Sequence, residues 1–136
     1  SDPQTPVLWA KPGQPLRNHV LMPTGGSRGI TYQLDGHIWP LHNYQAEKSD
    51  VSGYPLNLPG IGSVRFGYNP QAMFIGAQES VLPAAHFSFM VPSAGGANAV
   101  PGDYLYRDYA AYGNASGLWG ILRVTEEAPP VTPPAQ

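Results

Sequence analysis

The chain contains no cysteine. That excludes disulfides, thiolate catalysis and iron–sulfur clusters, and with them blue copper, whose site needs a Cys thiolate beside two His ligands. Charge is scarce as well: 12% of the 136 residues are charged and the formal net charge is −2. The seven basic residues, Lys11, Arg17, Arg28, Lys48, Arg65, Arg107 and Arg123, are dispersed and form no stripe. A sequence so balanced offers no electrostatic footprint for nucleic acid or an anionic membrane surface. No apolar run approaches the ~20 residues a membrane span needs, so no membrane insertion is expected. The opening Ser1-Asp2-Pro3 shows no signal-peptide pattern and fits either a processed form or an excised domain. Neither a G-x-S-x-G elbow nor a phosphate-binding glycine loop is present. Gly25-Gly26-Ser27 and Gly95-Gly96 follow turn logic, with no helix for them to open.

What the chain has in quantity is glycine and proline, sixteen of each. Set between short apolar runs, they punctuate an all-β chain with many turns. One domain is the default at this length, and 42% apolar residues supply a core that buries roughly two-thirds of the unfolded surface. Residues 1–6 read as an N-terminal linker, 7–124 as the domain and 125–136 as a Pro-rich tail or linker that cannot join a sheet ladder.

Within the domain, Val7–Ala10 is a short strand followed by a Lys11-Pro12-Gly13 turn. Leu16–Met22 alternates, with Leu16, Asn18, Val20 and Met22 on one face and Arg17, His19 and Leu21 on the other. Pro23–Gly26 turns the chain. Ile30–Trp39 is expected as one strand, Tyr44–Val51 as a possible helical turn, Leu56–Gly62 as a corner and Gly62–Tyr68 as a strand. Asn69–Ala85 reads as loop, with a short apolar run at Ala72–Ile75. His86–Val91 is a strand by its aromatic and β-branched content, Pro92–Pro101 a small-residue loop, and Tyr104–Tyr106 and Leu118–Val124 the closing strands. About seven or eight strands with turns every eight to twelve residues imply a sandwich or barrel.

The segment Pro101–Val124, PGDYLYRDYAAYGNASGLWGILRV, resembles the copper-binding end of a cupredoxin domain in multicopper oxidases. The family pattern H-C-H-x-x-x-H-x-x-x-G-M falls here on Arg107, Asp108, Tyr109, Gly113, Gly117 and Leu118. Near the other end, Ile30-Thr31-Tyr32-Gln33-Leu34-Asp35-Gly36-His37 is similar to the family's H-P-x-H-L-H-G-H. There a blue-copper His position holds Ile30, and two trinuclear-cluster positions hold Gln33 and Asp35. The resemblance is to C-terminal domains of bacterial multicopper-oxidase-like proteins and spans most of residues 7–124, with Leu41–Val91 unaligned. It implies a Greek-key cupredoxin-like β-sandwich whose copper-ligand positions, Ile30, Gln33, Asp35, Arg107, Asp108, Tyr109, Gly113 and Leu118, are degenerate. It also implies a periplasmic or extracellular protein, sister cupredoxin domains or another subunit as partners, no catalytic residue in this chain and no cofactor. Any enzyme activity would belong to a larger oxidoreductase.

Two other chemistries are open in the residues themselves. Asp35, His37 and His42 are close in sequence, and Asp35 and His37 would share one side of a strand. With His86 they make an N/O set suited to copper or zinc, the basis of an alternative metal or electron-transfer module. The structural alternative is that His37 and His42 bond loop backbone beside Trp39, with His86 at a strand edge. His19 is expected to be solvated or at an interface. An acid–base constellation would have to draw on Asp35, Asp103 and Asp108. A turn cap is the ordinary role for Asp103, and an ion pair or loop hydrogen bonds the ordinary role for Arg107 and Asp108. The eight Tyr and three Trp, with Tyr104, Tyr106, Tyr109 and Tyr112 in one region, suggest a carbohydrate-stacking platform. Against that, Tyr104 and Tyr106 share a face and are expected to pack on the core.

Overall fold

A computed structural model describes residues 4–22, 29–41, 73–110, 113–127 and 129. The expectations for Pro23–Gly26, Tyr44–Val51, Leu56–Gly62 and Gly62–Tyr68, as well as His42, Tyr112 and nearly all of the Pro-rich tail, lie outside the described residues. The described chain is all β apart from one short 3-10 turn at Asn114–Ser116. None of its helices is long and apolar enough to cross a membrane.

The first strand, β1 (Val7–Ala10), pairs in parallel with the last, β9 (Trp119–Val124), in the register Val7 to Ile121 through Ala10 to Val124. From β9 the sheet continues antiparallel through β8 (Gly102–Asp108) and β3 (Ile30–Leu34) to β6 (Ala77–Val81), in the order β1-β9-β8-β3-β6. A second sheet is the antiparallel pair β2 (Leu16–Leu21) and β7 (His86–Val91). A third, very short pair joins β4 (Trp39–Pro40) and β5 (Phe74–Ile75).

Alternation decides which side of each strand is buried. In β9, Gly120, Leu122 and Val124 are buried while Trp119, Ile121 and Arg123 are only half-buried. In β2 the pattern matches the sequence reading: Leu16, Asn18 and Val20 face inward, and Arg17, His19 and Leu21 face out. The two inward faces meet in a core that includes Leu34, Phe89, Val91, Leu122 and Val124. At its centre Trp39 stacks on Phe89, with ring centroids 4.3 Å apart. Tyr32 meets Trp39, Phe87 and Phe89 at 5.7–6.3 Å, tilted or edge-on as ring quadrupoles favour.

Two expectations need correction. Ile30–Trp39 is not one strand: the chain turns at Asp35-Gly36, where Gly36 has φ +71°. That left-handed conformation suits a glycine. Asp35 and His37 therefore do not share a strand face. Asn69–Ala85 is not simply loop either, because β5 and β6 fall within it. The segment Ala77-Gln78-Glu79-Ser80 carries little β-branched content, so its strand state comes from pairing with β3 rather than from propensity.

The closing strands hold one tight passage. Gly120 faces Tyr106 across β8–β9, and a Cβ there would stand 2.7 Å from the Pro6 carbonyl oxygen while also overlapping the Tyr106 phenol. Gly120→Ala is expected to cost about 1–3 kcal/mol by overpacking, read as a lower urea midpoint. Tyr106→Phe combined with Gly120→Ala should recover part of that loss, because the hydroxyl is one of the clashing groups. No recovery would place the strain on the ring carbon and the Pro6 carbonyl, both of which the Phe variant keeps.

Candidate functional site

Ile30, Asp108, Gly113 and Leu118 lie close to one another. Asp108 ends β8 at 2% exposure. One carboxylate oxygen accepts the Thr31 N–H at 3.2 Å and the other accepts the Gly113 N–H at 2.9 Å. The Asp108 backbone N–H donates to the Leu118 carbonyl at 3.2 Å, and the Leu118 N–H to the Gly113 carbonyl at 2.9 Å. The Tyr109 N–H donates to the Thr31 carbonyl at 2.8 Å, which ties the end of β8 to the residue after Ile30. A Cβ on Gly113 would stand 2.6 Å from Leu118 Cδ1 and 3.2 Å from Asp108 Cβ. Ile30, Asp108, Gly113 and Leu118 are thus brought to one place by β3, β8 and the turn before β9. The carboxylate serves as a clamp there, its charge met by two backbone donors. Loop hydrogen bonds are the role expected of Asp108.

Gln33, Asp35, Arg107 and Tyr109 gather around the neighbouring register pair of β3 and β8. Gln33 stands opposite Arg107. The Arg107 guanidinium lies 3.5 Å from Asp35 Oδ2, donates to the Tyr109 carbonyl at 3.4 Å and sits 5.9 Å from the Tyr109 ring centroid. Arg107 therefore takes Asp35, not Asp108, as its ion-pair partner. Alternation along β8 sends Arg107 to the face away from Tyr106 and Asp108. Gln33 Oε1, Asp35 Oδ1 and Arg107 Nε are buried there without hydrogen-bond partners. Tyr109 is 60% exposed and Leu105 39%, so unpaired polar atoms and bare apolar surface lie along one strand pair.

Among the described residues, each histidine has its own surroundings. His37 is buried, its Nδ1–H donating to the Asp35 carbonyl at 2.8 Å and its Nε2 accepting the Gly95 N–H at 2.9 Å. That second bond sets the tautomer, and both ring nitrogens are occupied by backbone. The ring also meets Tyr104 edge-on at 4.7 Å. The turn at Gly36 and the loop at Gly95 are thereby held together, which is the bonding to loop backbone expected for His37. His86 is exposed at the start of β7, opposite Leu21. His19 is exposed on β2, its Nδ1 2.7 Å from Ser88 Oγ. Among the described residues no three His, Cys, Asp or Glu side chains are placed to hold one metal ion.

Tyr104 and Tyr106 pack on the core, their hydroxyls donating to the Val100 carbonyl at 2.7 Å and the Pro6 carbonyl at 3.1 Å. That pair is not a stacking platform. Burial pushes the Tyr32 phenol well above its ordinary range, with Tyr106 adding to the effect. Burial likewise raises Tyr106.

Asp103 is not a turn cap. It lies within β8 and forms a two-pronged pair with Arg123 of β9 at 2.8 and 2.7 Å. The hydrogen bond from Arg123 lowers the Asp103 pKa below its ordinary 3.8. A depressed carboxylate stabilises the fold above pH 3.8 and loses that contribution as pH falls through its lowered folded value. Asp103→Asn is therefore expected to lower the melting temperature slightly at pH 7 and to match the wild type in acid strong enough to protonate the folded carboxylate. A difference persisting in strong acid would assign the effect to packing.

One element of the site has no clear signal in the sequence. A cleft of about 390 Å³ opens between the sheets beside Asp108, with Leu8, Asn18, Val20, Ile30, Leu118 and Trp119 among its walls. The hint available was an asparagine on the inward face of β2.

No family model and no curated protein matches this chain.

Proposed function

We propose that this chain is a non-catalytic, Greek-key cupredoxin-like domain that acts through its surface, as a structural and interaction module of a larger exported multicopper-oxidase-like protein. The observation that carries the reading is the fate of the blue-copper positions. Ile30, Asp108, Gly113 and Leu118 lie close together, the carboxylate is spent on two backbone N–H groups and Leu118 blocks a side chain at Gly113. The parallel pairing of first and last strands and the non-sequential order of the larger sheet also support it. A sandwich of this kind draws its folding energy from its core, so losing ligands removes chemistry and leaves the fold. The partner surface in this reading is the outer side of β3 and β8, around Gln33, Asp35, Leu105, Arg107 and Tyr109. There a sister domain or another subunit would cover the exposed Leu105 and Tyr109.

Copper titration of the purified chain, followed by calorimetry and electron paramagnetic resonance, tests the reading. The expected result is no stoichiometric Cu²⁺ site. A one-to-one site weakened by His86→Ala or His37→Ala would replace it with a metal-binding or electron-transfer function. A second test addresses the positions directly. Ile30→His, Asp108→Cys, Gly113→His and Leu118→Met, combined, restore the blue-copper donor set. The combined variant is expected to bind Cu²⁺ with an intense thiolate charge-transfer band, and a folded but colourless variant counts against the positional assignment.

A further inference from the structure

The cleft beside Asp108 lies at one end of the space between the sheets, where inward-facing residues of β1, β2, β3 and β8 do not meet. At about 390 Å³ it falls within the size range of small-molecule sites. Its walls are apolar, and three of them are left bare: Leu21 is 70% exposed, Leu8 49% and Leu118 42%. Side chains this apolar, grouped around a concavity rather than scattered, mark a surface that gains by being covered.

The polar groups around the cleft restrict what can enter. Both Asp108 oxygens are taken by backbone N–H groups. The Tyr106 hydroxyl is committed to the Pro6 carbonyl, and the Arg107 guanidinium to Asp35 and the Tyr109 carbonyl. His19 is bonded to Ser88. Arg107 thus has its counter-charge in Asp35, while the Asp108 carboxylate is held by neutral backbone donors. Asn18, which faces inward from β2 and lines the cleft, keeps its amide nitrogen buried without a partner. A buried donor in that state gains from any acceptor brought to it.

We propose that this cleft binds a neutral, largely apolar small molecule carrying one hydrogen-bond acceptor, such as an aryl ketone, with the Asn18 amide donating to that acceptor. An anionic ligand would lose its hydration beside the Asp108 carboxylate, and a cationic one would find both carboxylate oxygens already accepting backbone N–H groups. A polyol would leave most of its hydroxyls unpaired against Leu8, Val20, Ile30 and Leu118. Trp119 lies in the wall and serves as an internal reporter.

The test uses the full chain and prodan, a neutral naphthyl ketone whose emission shifts to the blue in apolar surroundings. Saturable one-to-one binding is expected, with energy transfer from tryptophan that Trp119→Phe reduces. Val20→Trp fills the cleft and should weaken binding at least ten-fold; if that variant does not fold, Leu21→Trp at the exposed rim takes its place. Asn18→Leu should weaken prodan binding about five-fold, the scale of one hydrogen bond, and leave anthracene, which lacks an acceptor, bound as tightly as before. The absence of saturable binding to the wild type overturns the proposal. So does unchanged affinity in folded cleft-filling variants, which would mean the probe adsorbs elsewhere. Equal losses of prodan and anthracene with Asn18→Leu overturn the acceptor requirement.

Discussion

Trp39→Ala is expected to lower the unfolding free energy by about 3–5 kcal/mol, the usual cost of truncating a large buried aromatic. Trp39 is 1% exposed and stacks on Phe89 with an interplanar angle of 30°, while Tyr32 meets it edge-on at 6.3 Å. Its strand, β4, is two residues long and paired to β5 by only the Trp39–Ile75 and Pro40–Phe74 register. So short a ladder contributes little, and the indole is what fastens this stretch to the core. Removing it leaves a cavity beside three other aromatic rings that interlock and cannot easily collapse into it. Urea unfolding should show a lower midpoint with an unchanged slope. Trp39→Phe should recover about half of the loss. A loss below about 1.5 kcal/mol would mean the aromatic cluster rearranges freely, contrary to the dense packing of protein interiors.

Asp108→Ala is the second large effect, expected to cost about 2–5 kcal/mol. The carboxylate holds the Thr31 and Gly113 N–H groups, and each buried donor left unpaired costs roughly 1–3 kcal/mol. Asp108→Asn keeps one carbonyl acceptor and should cost about half as much. Hydrogen exchange at the Thr31 and Gly113 amides provides a local readout, since both should exchange faster in the alanine variant. If Asp108→Ala costs no more than about 1 kcal/mol, water has taken the place of the carboxylate and the clamp is dispensable. Asp108 would then have no structural reason to be acidic. If the full loss is seen, the carboxylate is a structural clamp between β3 and the turn before β9.

Much of the fold is legible residue by residue. The inward and outward faces of β2 follow from Leu16, Asn18 and Val20 alternating with Arg17, His19 and Leu21, because a half-buried strand with period two admits one arrangement. β1, β7 and β9 are equally plain, being short apolar or aromatic runs bounded by turn residues. The Asp35-Gly36 turn was hidden because the residues on either side alternate as a strand would. Only the positive φ at Gly36 and the bond from His37 to the Asp35 carbonyl break the pattern. β6 was hidden for the opposite reason: its composition is polar and its strand state is conferred by β3. The partner of Asp103 was equally invisible, since nothing local shows that Arg123 stands opposite it in the sheet register.

The sequence by itself determined the all-β class, the absence of thiolate chemistry and the inventory of side chains at Ile30, Gln33, Asp35, Arg107, Asp108, Tyr109, Gly113 and Leu118. These depend on composition and on local periodicity, which a linear reading contains. Tertiary structure decided what those side chains do. That Asp108 clamps Thr31 and Gly113, that Arg107 chooses Asp35 over its neighbour Asp108, and that His37 gives both nitrogens to backbone are each settled by strands far apart in the chain. The cleft beside Asn18 belongs to the same class, because a cavity is the shape left between surfaces, and no one segment of the sequence encodes it.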